Sequence, residues 1–230
     1  HTYKFYRPRL YTDSNYFSID GSNLIINFSP NFEVKNSYRI AIRSKDDTGN
    51  SIVKVFRLSV NNLNDSPTDS NISNSEVNEN IEAESIVATL SSTDEDDGDT
   101  HSYALVEGEG DTDNAVFSID GTDLILNESP DYEMQGSYSI RLQTTDSGGE
   151  SYVEVFTLGV RDVNEIPTDL SLSSSSFNEN IEAASVVATL SSTDEDDGDT
   201  HSYALVEGTG STDNESFTID GSNLIINSSP

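Results

Sequence analysis

Val87 to Gly108 reads VATLSSTDEDDGDTHSYALVEG, and Val187 to Gly208 carries the same 22 residues in the same order. The offset of 100 holds outward from this stretch: Glu79 matches Glu179, Asp120 matches Asp220, Asn127 matches Asn227 and Pro130 matches Pro230. The first part of the chain joins the register more loosely, with His1 on His101, Tyr3 on Tyr103, Phe17 to Gly21 on Phe117 to Gly121 and Pro67 on Pro167. Self-similarity at a fixed period marks an array of structural units. One unit runs from about Thr68 to Pro167. Residues 1–67 therefore read as the C-terminal part of a repeat, 68–167 as a complete repeat and 168–230 as the N-terminal part of a third. Both ends fall inside repeats, so the sequence is expected to run on before His1 and after Pro230.

Within the middle unit the apolar residues come in short runs that alternate with period two, which is the signature of half-buried strands. Ser85–Leu90, His101–Val106, Val116–Ile119, Leu124–Leu126, Ser137–Leu142 and Tyr152–Val160 are the strand candidates. Turn signals separate them, at Asp120-Gly121, Gly108 to Gly110 and Asp146 to Gly149. No window has helical periodicity with caps. About seven short strands in a unit of this size predict an all-β fold of tandem immunoglobulin-like Greek-key β-sandwiches in a linear array.

The composition narrows the function. The chain has 42 acidic against 11 basic residues, a formal charge of −31, and no cysteine or tryptophan. Leu, Ile, Val and Phe make up about a quarter of it, just above the level of roughly 20% at which disorder becomes the default. So acidic a chain repels nucleic-acid backbones and anionic membranes. Without cysteine there is no disulfide framework, thiolate zinc site, iron–sulfur cluster or cysteine nucleophile. No apolar run is long enough to span a bilayer, and direct membrane insertion is not expected of this segment. The acidity is uneven: residues 1–67 carry more basic than acidic residues, while 68–230 hold two arginines against 36 acids.

Where the acids sit matters more than their number. Five clusters fall in the gaps between strands of one unit: Asn78-Glu79-Asn80, Asp94-Glu95-Asp96 with Asp97 and Asp99, Asp131-Tyr132-Glu133, Thr145-Asp146, and Asp162 to Pro167. In an antiparallel sandwich successive loops alternate between the two ends. The first, third and fifth clusters then share the bottom of a unit, and the second and fourth share its top. Bottom acids of one repeat meet top acids of the next. Carboxylates and amides gathered without His or Cys form the donor set that Ca²⁺ takes, about 6 to 8 oxygens per ion. Two carboxylates about 4 Å apart at an effective dielectric near 20 repel by roughly 4 kcal/mol, so several held together call for a cation.

Taken together, Asn78-Glu79-Asn80, Asp94-x-Asp96, Asp131-Tyr132-Glu133, Thr145-Asp146 and Asp162-x-Asn164-Glu165-x-Pro167 resemble the calcium motifs of cadherin repeats in order and spacing, and Phe117-Ser118-Ile119-Asp120 resembles that family's hairpin. The Ser/Thr/Asp-rich strands and near-identical units are similar to cadherin-like arrays of giant bacterial surface proteins. The resemblance implies that the join between the second and third repeats uses Glu79, Asp131, Glu133, Asp162, Asn164 and Glu165 with Asp194 and Asp196. The join between the first and second would use Glu33, Asn64 and Asp65 with Asp94, Asp96 and Asp146. Asp46 and Glu179 hold the places of Asp146 and Glu79 in the flanking repeats and complete the candidate ligand set. Departures collect at the first join: Asn62 stands where the motif has Asp, and Asn31 replaces the Asp of the Asp-Tyr-Glu element. The first join is expected to hold fewer or weaker ions. Glu165, Ser66 and Ile166 also depart from the motif, which bears on any third, outermost ion.

Competing chemistries lack their residues. Read as an EF-hand from Asp94, the sequence places Gly98, Asp99 and Leu105 at the fifth, sixth and twelfth positions, where the last must be Glu. The glycine-rich nonapeptide of calcium β-rolls is absent. There is no Gly-x-Ser-x-Gly, phosphate loop or His-Glu-x-x-His, so no enzyme activity is expected. His1, His101 and His201 share one repeat position and read as copies of the unit rather than as ligands. The Asn-x-Ser sequons at Asn27, Asn71, Asn127, Asn214 and Asn227 follow from an Asn/Ser-rich composition. What remains is an extracellular or cell-surface, secreted array, expected to be bacterial, stiffened by calcium and serving as stalk, filament or adhesin. Its partners would be other copies of the array or surface glycans. A homophilic or glycan-binding adhesion module, and an accessory module of a secreted hydrolase, are the alternatives; strand exchange through an inserted Trp is excluded, since the chain has none.

Overall fold

The computed structural model describes residues 1–6 and 13–229; Pro230, the partner of Pro130 in the repeat register, lies outside the described residues. The described chain contains strands and short 3-10 turns but no α-helix. In chain order the strands are β1 (Thr2–Phe5), β2 (Phe17–Asp20), β3 (Asn23–Ile26), β4 (Ser37–Lys45), β5 (Ser51–Ser59), β6 (Asp69–Ile72), β7 (Glu76–Asn78), β8 (Ser85–Thr93), β9 (Ser102–Leu105), β10 (Phe117–Asp120), β11 (Asp123–Leu126), β12 (Ser137–Thr145), β13 (Ser151–Arg161), β14 (Asp169–Leu172), β15 (Val186–Thr193), β16 (Phe217–Asp220) and β17 (Asn223–Ile226). In the middle repeat they form two four-stranded sheets, ordered β10-β11-β8-β6 and β7-β13-β12-β9, the layers of an immunoglobulin-like sandwich. The chain divides into two compact units, 1–74 with 86–125 and 139–156, and 75–85 with 126–138 and 157–230.

In the first unit, β4 pairs antiparallel with β5 along its whole length, from Ser37 opposite Ser59 to Lys45 opposite Ser51, and with β1 on its other edge. Phe17, Tyr38 and Ile40 form the buried centre there, flanked by Phe5, Phe28, Ile42, Leu58 and Val60. The β2–β3 hairpin closes through Gly21 at φ +60°, the first central position of a tight turn that a Cβ would disfavour. The same glycine recurs as Gly121 and Gly221. Further along, β12 alternates as its sequence predicts, burying Ile140, Leu142 and Thr144. Full burial of one such aliphatic side chain contributes about 1.5–3 kcal/mol. Thr144 is satisfied by hydroxyl partners: its Oγ1 lies 2.7 Å from Ser70 Oγ and accepts from Ser92 Oγ at 3.0 Å. β9 pairs antiparallel with β12, Ser102 opposite Thr145, so the start of β9 lies beside the loop that begins at Asp146.

In the second unit Val77, Leu126, Tyr138, Leu158 and Val160 are buried, as are Ala188 and Ile226 of the third repeat. β7 runs parallel to β13, Val77 opposite Val160. The strand candidates read from the sequence begin at Ser85; the structure has two strands before it, β6 in one sheet and β7 in the other, with the crossing at 73–75. β14, β15, β17 and β16 make a four-stranded antiparallel sheet in the third repeat. After β7 the chain turns at Asn80, which has φ +59° and whose N–H donates to the Pro130 carbonyl, tying the Glu79 turn to the Asp131 loop.

Candidate metal centres

Two sets of loop carboxylates are brought together in the first unit. Asp94, Asp99 and Asp146 offer ligand oxygens within 4.8 Å of one another, as do Glu33, Asp65 and Glu95. The linker lies against them. Asn64 Nδ2 donates to Asp146 Oδ2 at 2.8 Å, and the Asp65 N–H donates to Asp96 Oδ2 at 2.7 Å. Asp146 is only 6% exposed and caps its own loop, its Oδ1 accepting from the Gly149 and Glu150 N–H groups at 2.6 and 2.9 Å. Burial pushes its carboxyl up, but these donors and Asn64 outweigh it and hold the pKa below the usual value. At the two positions where Asn replaces Asp, the amide does what a carboxylate cannot: Asn31 Nδ2 donates to Glu95 Oε2 at 2.9 Å and Asn62 Nδ2 to Asp96 Oδ1 at 2.8 Å.

The second unit gathers Glu79, Asp131 and Glu133, and also Glu133, Asp162 and Asp196, each set within the same 4.8 Å limit. Glu79, 3% exposed, is the fixed member. Its Oε2 accepts from the Tyr132 N–H at 2.7 Å and its Oε1 from the Val163 N–H at 2.6 Å. Desolvation raises its pKa, and the two backbone donors more than reverse this, so it stays ionised. Glu165 donates its N–H to Asp196 Oδ2 at 2.8 Å, and its own carboxylate accepts from Asn80 Nδ2. Around them the acids crowd. Burial first, then the charges of Glu79 and Asp162, raise Glu133; burial, then Asp196 and Glu79, raise Asp162; burial, then Glu79, Asp196 and Glu133, raise Glu165. Asp162 therefore meets repulsion at the place where Asn62 makes a hydrogen bond.

Other predicted ligands lie apart from these sets. Asn164 is exposed and its Nδ2 donates to the Glu165 carbonyl. Glu179 is exposed, and Asp46 is turned inward on its own loop, accepting from Thr48 Oγ1 at 2.8 Å and from Asn50. Asp194 accepts from His201 Nε2 at 2.9 Å, the main cause of its lowered pKa; Asp94, which does belong to a set, makes the same bond with His101 Nε2 at 3.1 Å. Glu95 and Asp99 join these sets from the Asp-rich run without being part of the motif read from the sequence. The chain doubles back there through Gly98, at φ +88°, which swings Asp99 toward Asp146.

The donor set suits a hard cation, since the ligand atoms are oxygens and the charge is uncompensated. Two buried carboxylate oxygens, Asp99 Oδ2 and Glu165 Oε2, have no hydrogen-bond partner among the described residues, one in each unit. Buried acceptors are normally paired, and an ion is one way to pair them. No described helix is long and apolar enough to cross a membrane.

No family model matches the chain. Among characterised proteins it is 29% identical over 183 residues to mouse Protocadherin Fat 4 and 27% identical over 146 residues to Neural-cadherin of Drosophila melanogaster, covering 76% and 59% of this chain. It spans only 4% and 5% of those proteins. Among solved structures, mouse Cadherin-23 EC22-24 superposes on the whole chain with a TM-score of 0.66 at 22% identity, this chain covering 76% of that one. Extracellular cadherin domains 1-4 of Protocadherin Gamma B7 give 0.67 at 20% identity, with 100% of this chain and 59% of that one covered. The strand order and these likenesses agree: the chain has the immunoglobulin-like fold of cadherin-like repeats and is similar in sequence to cadherins.

Proposed function

We propose that this chain is part of an extracellular, non-catalytic adhesion-type array in which Ca²⁺ held at the joins stiffens successive repeats, with boundaries near residues 67 and 167. The observation that carries the reading is the uncompensated crowding at the second join, where three carboxyls with raised pKa values surround the ionised Glu79 and a buried Glu165 oxygen lacks a partner. A bound cation would relieve this repulsion at neutral pH. Glu79, Asp131, Glu133, Asp162, Asn164, Glu165 and Asp196 are the ligand group there, with Asp194 supporting. Glu33, Asn64, Asp65, Asp94, Asp96 and Asp146, joined by Glu95 and Asp99, are the weaker group at the first join. Affinities fall in the range of about 10⁻⁵ to 10⁻³ M that suits extracellular modules. The array serves as stalk, filament or adhesin at a cell surface, with other copies of itself as the first candidate partner.

Small-angle scattering of the chain in millimolar Ca²⁺ and in chelator tests the stiffening. A shorter maximum dimension and a lower melting temperature in chelator are expected. An unchanged profile and an unchanged melting temperature would overturn the proposal.

A further inference from the structure

We infer that His101 and His201 are positioning residues for the cation sites, each using its Nε2–H to fix the buried Asp that opens the Asp-x-Asp loop; the inference rests on the calcium reading above. The two imidazoles make the same bond in two repeats, His101 to Asp94 Oδ2 at 3.1 Å and His201 to Asp194 Oδ2 at 2.9 Å. The Asp side chains are 3% and 5% exposed and the imidazoles 13% and 19%, so both pairs are largely withdrawn from water. A carboxylate only accepts, so the bond places the hydrogen on Nε2.

The other oxygen of each Asp faces its own loop. Asp94 Oδ1 accepts from the Asp96 N–H at 3.0 Å, and Asp194 Oδ1 lies 3.4 Å from the Asp196 N–H. Asp194 also accepts from the Glu195 N–H, and with about four lone-pair sites each carboxylate keeps acceptor capacity for an ion. Asp94 needs such a hold. It lies among Asp99 and Asp146, and without a donor on its outer oxygen their charges would turn it away. His101 can supply that donor rigidly because it immediately precedes β9, which is paired to β12 beside Asp146. A loop ligand is thereby held from a sheet, as precise sites require. The bond is not a by-product of that strand pairing: residues 201–207 are not in a strand, yet His201 keeps its Asp.

The test is calorimetric Ca²⁺ titration of the full chain, with melting in chelator measured alongside, for wild type, His101→Ala/His201→Ala and His101→Gln/His201→Gln. Gln keeps an N–H donor near the Nε2 position. Losing an outer partner of a metal ligand typically costs about 10- to 100-fold in affinity, so the alanine pair should bind at least roughly tenfold more weakly and the glutamine pair within about threefold of wild type. Wild-type affinity in the alanine pair, even with a lower melting temperature, would make the histidines structural staples and overturn the inference. So would a folded glutamine pair that binds no better than the alanine pair. Absence of Ca²⁺ uptake by the wild type would overturn the calcium reading and this inference with it.

Discussion

Asp162→Asn converts the second join into the pattern already present at the first, where Asn62 Nδ2 donates to Asp96 Oδ1 at 2.8 Å. Asp162 faces Asp196 at the equivalent place, and both burial and that charge raise its pKa. The substitution therefore acts with opposite sign in two solutions. In chelator it replaces a repulsion by a hydrogen bond, and the variant should melt above wild type. In Ca²⁺ it removes a ligand. Saturating a site at 100 times its dissociation constant stabilises the folded state by about 2.7 kcal/mol. For a chain of this size that corresponds to a melting shift of about 5–11 °C. If the lost ligand lowers affinity by at least the roughly tenfold expected for outer partners, the gain at the same Ca²⁺ concentration falls to about half or less. The assay is paired thermal melts in chelator and in millimolar Ca²⁺, so that the wild-type and variant melting temperatures exchange order. A variant that melts lower than wild type in chelator, or that gains as much from Ca²⁺, would refute the electrostatic argument.

Acidification should trade the cation for protons. Glu133, Asp162 and Glu165 have folded pKa values raised above 4.5, 3.8 and 4.5, so the stability they contribute is present below those values and lost as pH rises through the raised ones. Glu79, Asp146, Asp194, Asp13 and Asp46, with lowered pKa values, contribute in the opposite sense, a stability present above their ordinary values and lost as pH falls through the lowered ones. Because protons then compete with the ion at Glu133, Asp162 and Glu165, the Ca²⁺-dependent gain in melting temperature should shrink as pH falls from neutral toward the ordinary carboxylate range; a gain that persists there would count against these carboxylates as ligands. Gly148→Ala would drive a Cβ into the Asn64 amide that donates to Asp146, so Ca²⁺ titration of this variant should show a weakened first join and an intact second. Ile140→Ala, at a fully buried position in β12, should cost about 2–5 kcal/mol in denaturant unfolding, against roughly 0.5 kcal/mol or less for the exposed Ile86→Ala.

The repeat and the strand type were legible because both are patterns of period: the 22 identical residues set the unit, and alternation in Ser137–Leu142 and Tyr152–Val160 marked β12 and β13 within a few residues of their ends. The opening strands were not. Asp69–Ile72 carries a single large apolar residue and Glu76–Asn78 only one, and β7 exists because β13 accepts it in parallel, a partnership without a local sequence signal. Loop alternation groups acids by the end of the repeat, and the structure gathers Glu79 with Glu133, Glu133 with Asp162, and Asp94 with Asp146. It could not tell which way a side chain turns. Asp99 entered through the reversal at Gly98, and Thr48, standing where the middle repeat has Gly148, leaves Asp46 satisfied within its own loop. His101 and His201 read as copies because their partner lies seven residues away around a turn, a spacing shared by many residues without contact.

The central claim is that the crowded carboxylates of the second join exist to hold Ca²⁺. Equilibrium dialysis of the full chain against graded Ca²⁺, counting ions bound per chain in wild type and in Glu79→Gln/Asp196→Asn, tests it most directly. The account predicts saturable uptake below a few millimolar, consistent with sites of about 10⁻⁵ to 10⁻³ M, with the tighter ions lost in the double variant and the weaker ones of the first join retained. No uptake by the wild type at millimolar Ca²⁺, or uptake that the double variant leaves unchanged, would contradict it.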